Sequence, residues 1–452
     1  MKRSVFTVKE KIGYGISSVG DTVVYNLLIF YALFFMTDVV GLNPLMAGNI
    51  VFFATLWNAV SVSFIGYISD NFPRRGGKRL PYMKGAIFPM AVTLVMFFSV
   101  IGGSDELAGI YYTLVMAALM TTHAFYVVPY EALGADLTMN SDERGALRGY
   151  ARFFMGIGNL TGIVFILPAV ELLQDKGLSE TRSWQAVIVT AALLGAFSQI
   201  VTCRVFKENH VLERKKAKRQ NLLKEYIDIL KLKPFLILLA GSVFLSIASV
   251  FCNSGIVYFM QYNMTINAYS KSFVLGIMTI VGIVITPVLA KLVKRFDKKS
   301  VMGWCYTIAG IGLILFKLMG IHSTTALCAY IIVLTIGTSA YWQIIYAMVY
   351  DVSELDEYKN HRKRGAVLLS MSKIILRISN ACATQLLAFV LFCFGYDQDT
   401  NQQSAEALRG IEYSLTLIPA ALFLSAAICM RLYPLSRTAH LEIVKALQRR
   451  SN

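Results

Sequence analysis

Charged and polar side chains recur at helical spacing inside apolar stretches of this 452-residue chain. The clearest row lies within residues 366–395, where steps of three and four residues separate Ser370, Lys373, Arg377 and Asn380. Such steps place side chains on one face of a helix. Two cations on one face of a membrane helix are costly unless they face a water-filled cavity or buried partners. We therefore interpret Lys373 and Arg377 as part of a solute pathway.

Other apolar stretches carry similar candidates, all of them side chains that hydrogen-bond or stack on a polar solute. The predicted substrate-binding residues are Asp21, Tyr25, Asn26, Tyr126, Glu131, Arg152, Trp342, Lys373 and Arg377. For the charged members, the alternative is a buried structural ion pair. His123 fits a hydrogen-bonded helix residue better than a proton carrier.

The elements that must position these residues are apolar enough to cross a membrane. Apolar residues make up 56% of the chain and charged residues 15%, against about 25% charged residues in soluble proteins. Stretches of about 20 residues fit a hydrocarbon core about 30 Å thick. We number twelve of them spans 1 to 12, at residues 12–37, 44–69, 81–101, 108–134, 150–173, 184–206, 234–262, 272–292, 300–320, 324–350, 366–395 and 410–432. The sequence therefore predicts an all-α membrane protein.

The basic residues are distributed unevenly between the two sides of these spans. Of the 43 Lys and Arg residues, 36 lie in segments on the side of the termini and 4 in the opposite loops. Cytoplasmic loops of membrane proteins carry such an excess. We therefore predict a multi-pass protein of the cytoplasmic membrane with both termini inside. The net charge of +16 then needs no nucleic-acid partner, and we expect a monomer surrounded by lipid.

A basic insertion divides the chain into similar halves. We predict an N-terminal six-helix bundle at 1–206, a cytoplasmic linker at 207–233, and a C-terminal bundle with a short tail at 234–452. Residues 222–232 have apolar residues at helical spacing, which leaves open an amphipathic helix on the inner membrane surface or a mobile linker. Asp-Glu followed by Arg-Gly-Ala occurs after span 4 and again after span 10. This recurrence indicates parallel six-helix repeats.

Charged residues also cluster where spans end on the cytoplasmic side. Span 2 ends in Asp70, and an acid at a helix C-terminus is unfavourable unless cations meet it. Arg74 and Arg75 follow closely. We predict a cytoplasmic gate made of Asp70, Arg74, Arg75, Asp136, Arg144, Asp351 and Arg364. The alternative is charge that only sets the topology.

Sequence motifs for catalysis or metal binding do not occur. The seven cysteines lie in or beside apolar spans, without a CxxC motif, and we interpret them as small core residues. The sequence has no HExxH motif and no nucleophile–base pair. We therefore expect no enzyme activity, no catalytic residue, no metal and no cofactor apart from a coupling ion.

Short motifs in a fixed order resemble the glycoside–pentoside–hexuronide:cation symporter family, the melibiose-carrier branch of the major facilitator superfamily. They are Lys11-Ile-Gly-Tyr14-Gly15, Phe35-Met-Thr-Asp38, Trp57-Asn58, Val128-Pro129-Tyr130-Glu131, Asp142-Glu143-Arg144 and Asp351-Val-Ser-Glu354. The resemblance covers nearly the whole chain. It implies twelve helices in two six-helix halves around a central cavity, alternating access, and sugar substrates driven by a cation.

The same resemblance assigns individual roles and shows one departure. It implies sugar-binding roles for Arg152, Trp342 and Arg377. The carboxylate pair that holds the cation in the melibiose carrier falls on Asn58 and Val62, which cannot supply two carboxylates to a hard cation. Coupling to Na⁺ is therefore doubtful. The candidate coupling residues are Asp21, Asn58 and Glu131, with H⁺ as the possible ion.

We therefore expect a secondary active transporter of a sugar, glycoside or uronide. Two acids and three bases among the candidate residues favour an anionic substrate such as a uronide. Two alternatives stay open. One is a facilitator without coupling, and the other is a transporter of a lysophospholipid or another amphipathic anion.

Overall fold

Every regular element that the structure describes is a helix. The computed structural model describes residues 6–71, 79–138, 141–206, 222–264, 266–360, 364–398, 400 and 402–451. Twelve helical stretches in these residues are long and apolar enough to cross a membrane, which confirms the predicted fold class. A helix satisfies its own backbone hydrogen bonds in lipid, where water is absent.

The bounds of the spans agree with the sequence pattern and extend beyond it at several ends. Spans 1 to 4 and span 6 are Val8–Val39, Pro44–Asn71, Leu80–Phe97, Asp105–Asp136 and Glu180–Val205. Span 5 consists of Ser141–Asn159, Leu160–Val164 and Ile166–Asp175. Spans 7 to 12 are Lys233–Asn263, Ala268–Arg295, Lys298–Met319, Thr324–Asn360, Gly365–Cys393 and Ala405–Leu432. Two further helices are the linker helix, Leu222–Leu230, and the tail helix, Arg437–Ser451.

The chain divides into two compact units. Unit 1 contains the N-terminal half together with Ile266–Gly276 and Leu391–Gln403, and unit 2 contains the rest of the C-terminal half. The start of span 8 and the end of span 11 therefore pack with spans 1 to 6. The predicted domain bounds at 206 and 234 stay a prediction, and residues 207–221 of the linker lie outside the described residues.

Unit 1 is built around close backbone contacts of span 1. A Cβ atom placed on Gly20 would lie 2.6 Å from the carbonyl oxygen of Gly195 in span 6. A Cβ atom placed on Gly158 of span 5 would lie 2.7 Å from the Cβ of Thr22. Small residues allow membrane helices to approach this closely. Span 1 is consequently held on both sides of Asp21.

Two short segments of the C-terminal half attach to unit 1 through polar contacts. Lys271, with 5% of its side chain exposed, forms an ion pair with Glu171 of span 5. The hydroxyl of Tyr396 donates a hydrogen bond to Asp38 at 2.7 Å. A buried lysine needs such a partner because an unpaired buried charge is strongly unfavourable. These contacts explain why Ile266–Gly276 and Leu391–Gln403 belong to unit 1.

Unit 2 uses similar close packing between spans 9, 10 and 12. A Cβ atom on Gly310 would lie 2.7 Å from the Cγ of Leu424, and one on Gly337 would lie 2.7 Å from the ring of Phe423. Near one end of these spans, Lys317 pairs with Glu412 at 2.7 Å. The Glu412 carboxylate gives the Lys317 cation a partner within an apolar helix. Without a partner, a cation at this place would be unfavourable in lipid.

Within the described ranges, three spans contain π-helical turns, in which the helix is locally wider. These turns are Leu27–Tyr31 and Phe35–Val39 in span 1, Leu160–Val164 in span 5 and Phe259–Asn263 in span 7. Such turns occur inside longer helices and are frequent at functional sites. Because each turn takes in extra residues, side chains on either side of it follow different helical registers.

The contact between spans 1 and 5 gives a direct test. We expect Gly158→Ala to destabilise the protein by about 1–3 kcal/mol, because the added methyl group overfills a packed crossing. Gly156→Ala, on the same helix, is the matched control, because a Cβ there meets nothing within 4 Å. Alanine also favours a helix over glycine by about 1 kcal/mol. Thermal unfolding in detergent measures both, and equal midpoints would contradict the crossing.

Candidate functional site

The centre of the candidate site in unit 1 is a contact between spans 1 and 4. The Nε2 atom of His123 lies 2.7 Å from the Oδ1 atom of Asp21. The His123 side chain is 15% exposed and the Asp21 side chain 27% exposed, so the pair is neither sealed from water nor fully solvated. The sequence predicted a role for Asp21. It did not single out His123 as the partner.

Tyrosines of span 4 secure this contact from one side. Tyr126, one turn from His123, is fully buried, and its hydroxyl lies 2.5 Å from the Ser17 hydroxyl. The next tyrosine, Tyr130, donates to the carbonyl oxygen of Tyr14 at 3.0 Å. These bonds tie span 4 to span 1. Tyr126, a predicted substrate-binding residue, thus takes part in the contact between spans 1 and 4 that positions the pair.

Span 5 presents an open cationic face. Arg152 is exposed and forms no ion pair with any other described residue. Gly145, Gly149 and Gly156 follow the same face at steps of four, three and four, and a Cβ atom on any of them would meet nothing within 4 Å. The guanidinium therefore stands beside unfilled space, where an anionic group can approach it.

The remaining candidates of unit 1 have different environments. Tyr25 is exposed, whereas Asn26 is buried and donates to Asn159 of span 5 at 2.9 Å. Asn58 lies in span 2, and Glu131 is exposed near the end of span 4. The structure therefore brings Asp21 together with His123 and places Asn26 in a helix–helix contact. It shows no direct bond between the charged candidates Glu131 and Arg152.

The candidates of unit 2 lie on spans 10 and 11. Trp342 is half exposed, with its ring centroid 5.2 Å from that of Tyr341. Lys373 is exposed and Arg377 is half buried. Unit 2 therefore presents an aromatic surface and two cations, a combination that suits a sugar ring bearing an anionic group.

The other polar residues of the span 11 row are used partly within unit 2. Asn380 accepts a hydrogen bond from Ser246 of span 7. The Ser370 hydroxyl lies 3.3 Å from the Tyr226 hydroxyl of the linker helix. These two positions have a packing role, which the periodicity of the sequence does not distinguish from pathway lining. The residues between them in the row are the two cations.

The predicted gate residues of unit 2 form separate ion pairs. Both carboxylate oxygens of Asp351 accept from the Lys298 ammonium at 2.7 Å. Arg364 makes a bidentate pair with Asp356 at 2.6 and 2.8 Å. Hydrogen bonds to the Asp356 carboxylate raise the pKa of the Arg364 guanidinium above its ordinary value. The structure thus shows each of these residues with a partner inside unit 2.

In unit 1 the gate prediction is only partly visible. Arg144 donates from Nε to the carbonyl oxygen of Thr138 at 2.8 Å. Arg74 and Arg75 lie outside the described residues, as do the side chains of Asp70 and Asp136. The gate as a whole stays a prediction. Among the described residues no group of three or more His, Cys, Asp or Glu side chains could hold a metal ion.

Comparison with known proteins identifies the family. The model of the MFS/sugar transport protein family matches residues 13–437. The chain belongs to this family. Its curated relatives include symporters of the glycoside–pentoside–hexuronide type, so the resemblance inferred from the short motifs is confirmed.

Three relatives illustrate the family, and two of them are named for a substrate. The uncharacterized symporter YjmB of Bacillus subtilis (strain 168) is 28% identical and aligns with 98% of this chain and 96% of its own length. The isoprimeverose transporter of Lactiplantibacillus pentosus is 24% identical, covering 95% and 89%. The glucuronide carrier protein homolog of Escherichia coli (strain K12) is 22% identical, covering 97% and 95%.

Solved structures share the fold at low sequence identity. A bacterial homologue of the human drug peptide transporters PepT1 and PepT2 matches with a TM-score of 0.70 at 12% identity, over 98% of this chain and 99% of that chain. The inward-open xylose transporter XylE from E. coli matches with a TM-score of 0.66 at 14% identity, over 97% and 98%. The chain therefore has the major facilitator fold. As its family membership indicates, it is a multi-pass membrane protein of the secondary active, sugar-transporting type.

The buried pair in unit 2 yields a stability prediction. We expect Arg364→Ala to cost about 3–5 kcal/mol, because it leaves the fully buried carboxylate of Asp356 without its cation. Lys298→Ala is the comparison, since Asp351 keeps His440 at 3.5 Å and its pair is more exposed. Thermal unfolding in detergent compares the two variants. A larger loss for Lys298→Ala would contradict the reasoning.

Proposed function

We propose that this protein is a proton-coupled transporter of an anionic sugar of the uronide type. It acts in the cytoplasmic membrane as a monomer, with both termini inside. The observation that carries the proposal is the open cationic face at Arg152. The bias of basic residues toward the side of the termini, 36 of 43, supports the orientation.

Charge favours an anionic sugar over a neutral one. In unit 1 the Asp21 carboxylate contacts His123, whereas the Arg152 guanidinium faces unfilled space. Within unit 2, span 11 carries the cations Lys373 and Arg377. A guanidinium binds a carboxylate through two parallel hydrogen bonds, which gives both energy and orientation. A neutral glycoside would leave the Arg152 guanidinium without an anion.

The names of two relatives bear on the substrate class, because one refers to an anionic sugar and the other to a neutral sugar. One relative is named for glucuronide and another for isoprimeverose, so the family includes carriers named for an anionic and for a neutral sugar. An amphipathic anion, such as a lysophospholipid, would use the same cations. We favour the small sugar because the half-exposed Trp342 offers a flat surface for a sugar ring.

Protons are the proposed coupling ion. Span 2 carries Asn58 and Val62 at the two positions where the melibiose carrier has carboxylates. Na⁺ is a hard cation that prefers several oxygen ligands, and a valine side chain supplies none. Coupling then requires a titratable group, and the candidates in unit 1 are Asp21 and Glu131.

The substrate class is tested by removing the cations. We expect Arg152→Ala and Arg377→Ala each to lower exchange of methyl β-glucuronide in proteoliposomes about 30-fold or more, because a hydrogen bond to a charged group contributes about 2–3 kcal/mol. Arg182→Ala, at the start of span 6, is the control and should exchange normally. Parallel assays with a neutral pentoside and a lysophospholipid separate the alternatives. Exchange within about a factor of two of wild type would contradict the role of the cations.

The coupling ion is tested by changing the gradient. We expect an inward proton gradient to stimulate uptake into vesicles and an inward Na⁺ gradient to leave it unchanged, because span 2 lacks the carboxylates. Equal uptake in all conditions would indicate a facilitator. Strong stimulation by Na⁺ alone would show that the interpretation of Asn58 and Val62 is wrong.

A further inference from the structure

We infer that the Asp21–His123 pair is the site that binds the coupled proton. The inference rests on the proposed proton coupling and names the residues that carry it. It assigns a role to His123, a residue that the sequence did not favour as a proton carrier. The inference stands on the contact between spans 1 and 4.

The geometry suits reversible proton binding. The 2.7 Å separation of Nε2 and Oδ1 is that of a charge-assisted hydrogen bond. Partial exposure of both side chains lets water deliver and remove a proton. The backbone of Asp21 is held by the close contacts of its neighbours Gly20 and Thr22. The pair is therefore accessible and also fixed in position.

Few other charged groups share this region of unit 1. Spans 2, 3 and 6 have no Asp, Glu, Lys, Arg or His at residues 44–69, 85–97 and 183–203. Tyr126 and Tyr130 of span 4 lie close enough to interact electrostatically with Asp21. Other ionisable residues on the spans of unit 1 include Tyr14, Lys84, Glu131, Arg148 and Arg152. Protonation of the pair therefore makes a large change in the net charge of this region of unit 1.

The protonation step changes the pair by one charge. With Asp21 ionised and His123 neutral, Nε2–H donates to the carboxylate and the pair carries one negative charge. A proton from water then binds the free Nδ1 atom of His123 and forms an imidazolium, which keeps the same hydrogen bond. The pair becomes neutral overall. Release returns the proton from Nδ1 to water, and no covalent bond between heavy atoms changes.

This change in charge couples proton binding to the proposed anionic substrate. Arg152 lies six residues before Gly158, the contact point of span 5 with span 1, which is about 9 Å along the helix. An anion at Arg152 is repelled by the negative pair and no longer repelled by the neutral pair. By linkage, the anion must then favour proton binding to the same extent. One proton and one singly charged anion together carry no net charge.

His123 itself can be tested without any substrate. The chain has five histidines, so the ring signals of His123 in an NMR spectrum of purified, ¹⁵N-histidine-labelled protein are identified by their loss in H123Q. We expect these signals to change to the doubly protonated pattern when the solution is acidified. In D21N the response to acid should differ from that of the wild type, because the carboxylate that accepts the hydrogen bond from Nε2 is gone. Signals that never change, or that change identically in D21N, would overturn the inference.

The coupling role is tested with H123Q in proteoliposomes. A glutamine amide can still donate to Asp21 but cannot take up a proton. We expect H123Q to reduce the stimulation of methyl β-glucuronide accumulation by a proton gradient at least about tenfold. H322Q is the matched control, because His322 lies in the segment between spans 9 and 10.

The possible failures are distinguishable. Proton-driven accumulation by H123Q at the wild-type level would overturn the inference and favour Glu131 as the carrier. A wild-type protein that exchanges the glucuronide without proton stimulation would contradict both the coupling and the assigned site. A wild-type protein that does not exchange the glucuronide would contradict the proposed substrate alone, and the NMR titration would still decide whether the pair binds the proton.

Discussion

The close approach of span 1 to spans 5 and 6 is the constraint on which the candidate site depends. Gly20 and Gly158 remove the side chains that would separate these backbones. Asp21 lies between the two crossings and is directed to His123 by the position of span 1. A larger residue at either glycine would move the carboxylate. The chemistry of the site is therefore set by residues that have no functional group of their own.

The bilayer explains why several buried polar residues of this chain occur in pairs. In lipid, a buried polar group without a partner costs several kcal/mol. Tyr126 contacts Ser17, Asn26 contacts Asn159, and the Asp356 carboxylate contacts Arg364. Against this background, an exposed cation beside open space, such as Arg152, is the exception that needs a functional explanation.

The sequence was sufficient for the fold because the number and spacing of apolar stretches reflect the thickness of a membrane. It also singled out Asp21 as a candidate, because a carboxylate within an apolar span is costly and therefore informative. It could not show that His123 is the partner of Asp21, 102 residues away, because that pairing depends on how spans 1 and 4 pack. The spacing of His123, Tyr126 and Tyr130 on one face was a usable signal. The π-helical turns have no signature in apolar periodicity.

The attachment of Ile266–Gly276 and Leu391–Gln403 to unit 1 has a consequence for how the protein is assembled during synthesis. The ribosome completes the first six spans long before it reaches Lys271 and Tyr396. Until then, Glu171 and Asp38 lack the groups that they contact in the finished structure. The N-terminal bundle therefore completes these two contacts only with residues of the second half. Its contact with Tyr396 forms only after most of the second half has been inserted. The structure of the first half is therefore completed late in the order of synthesis.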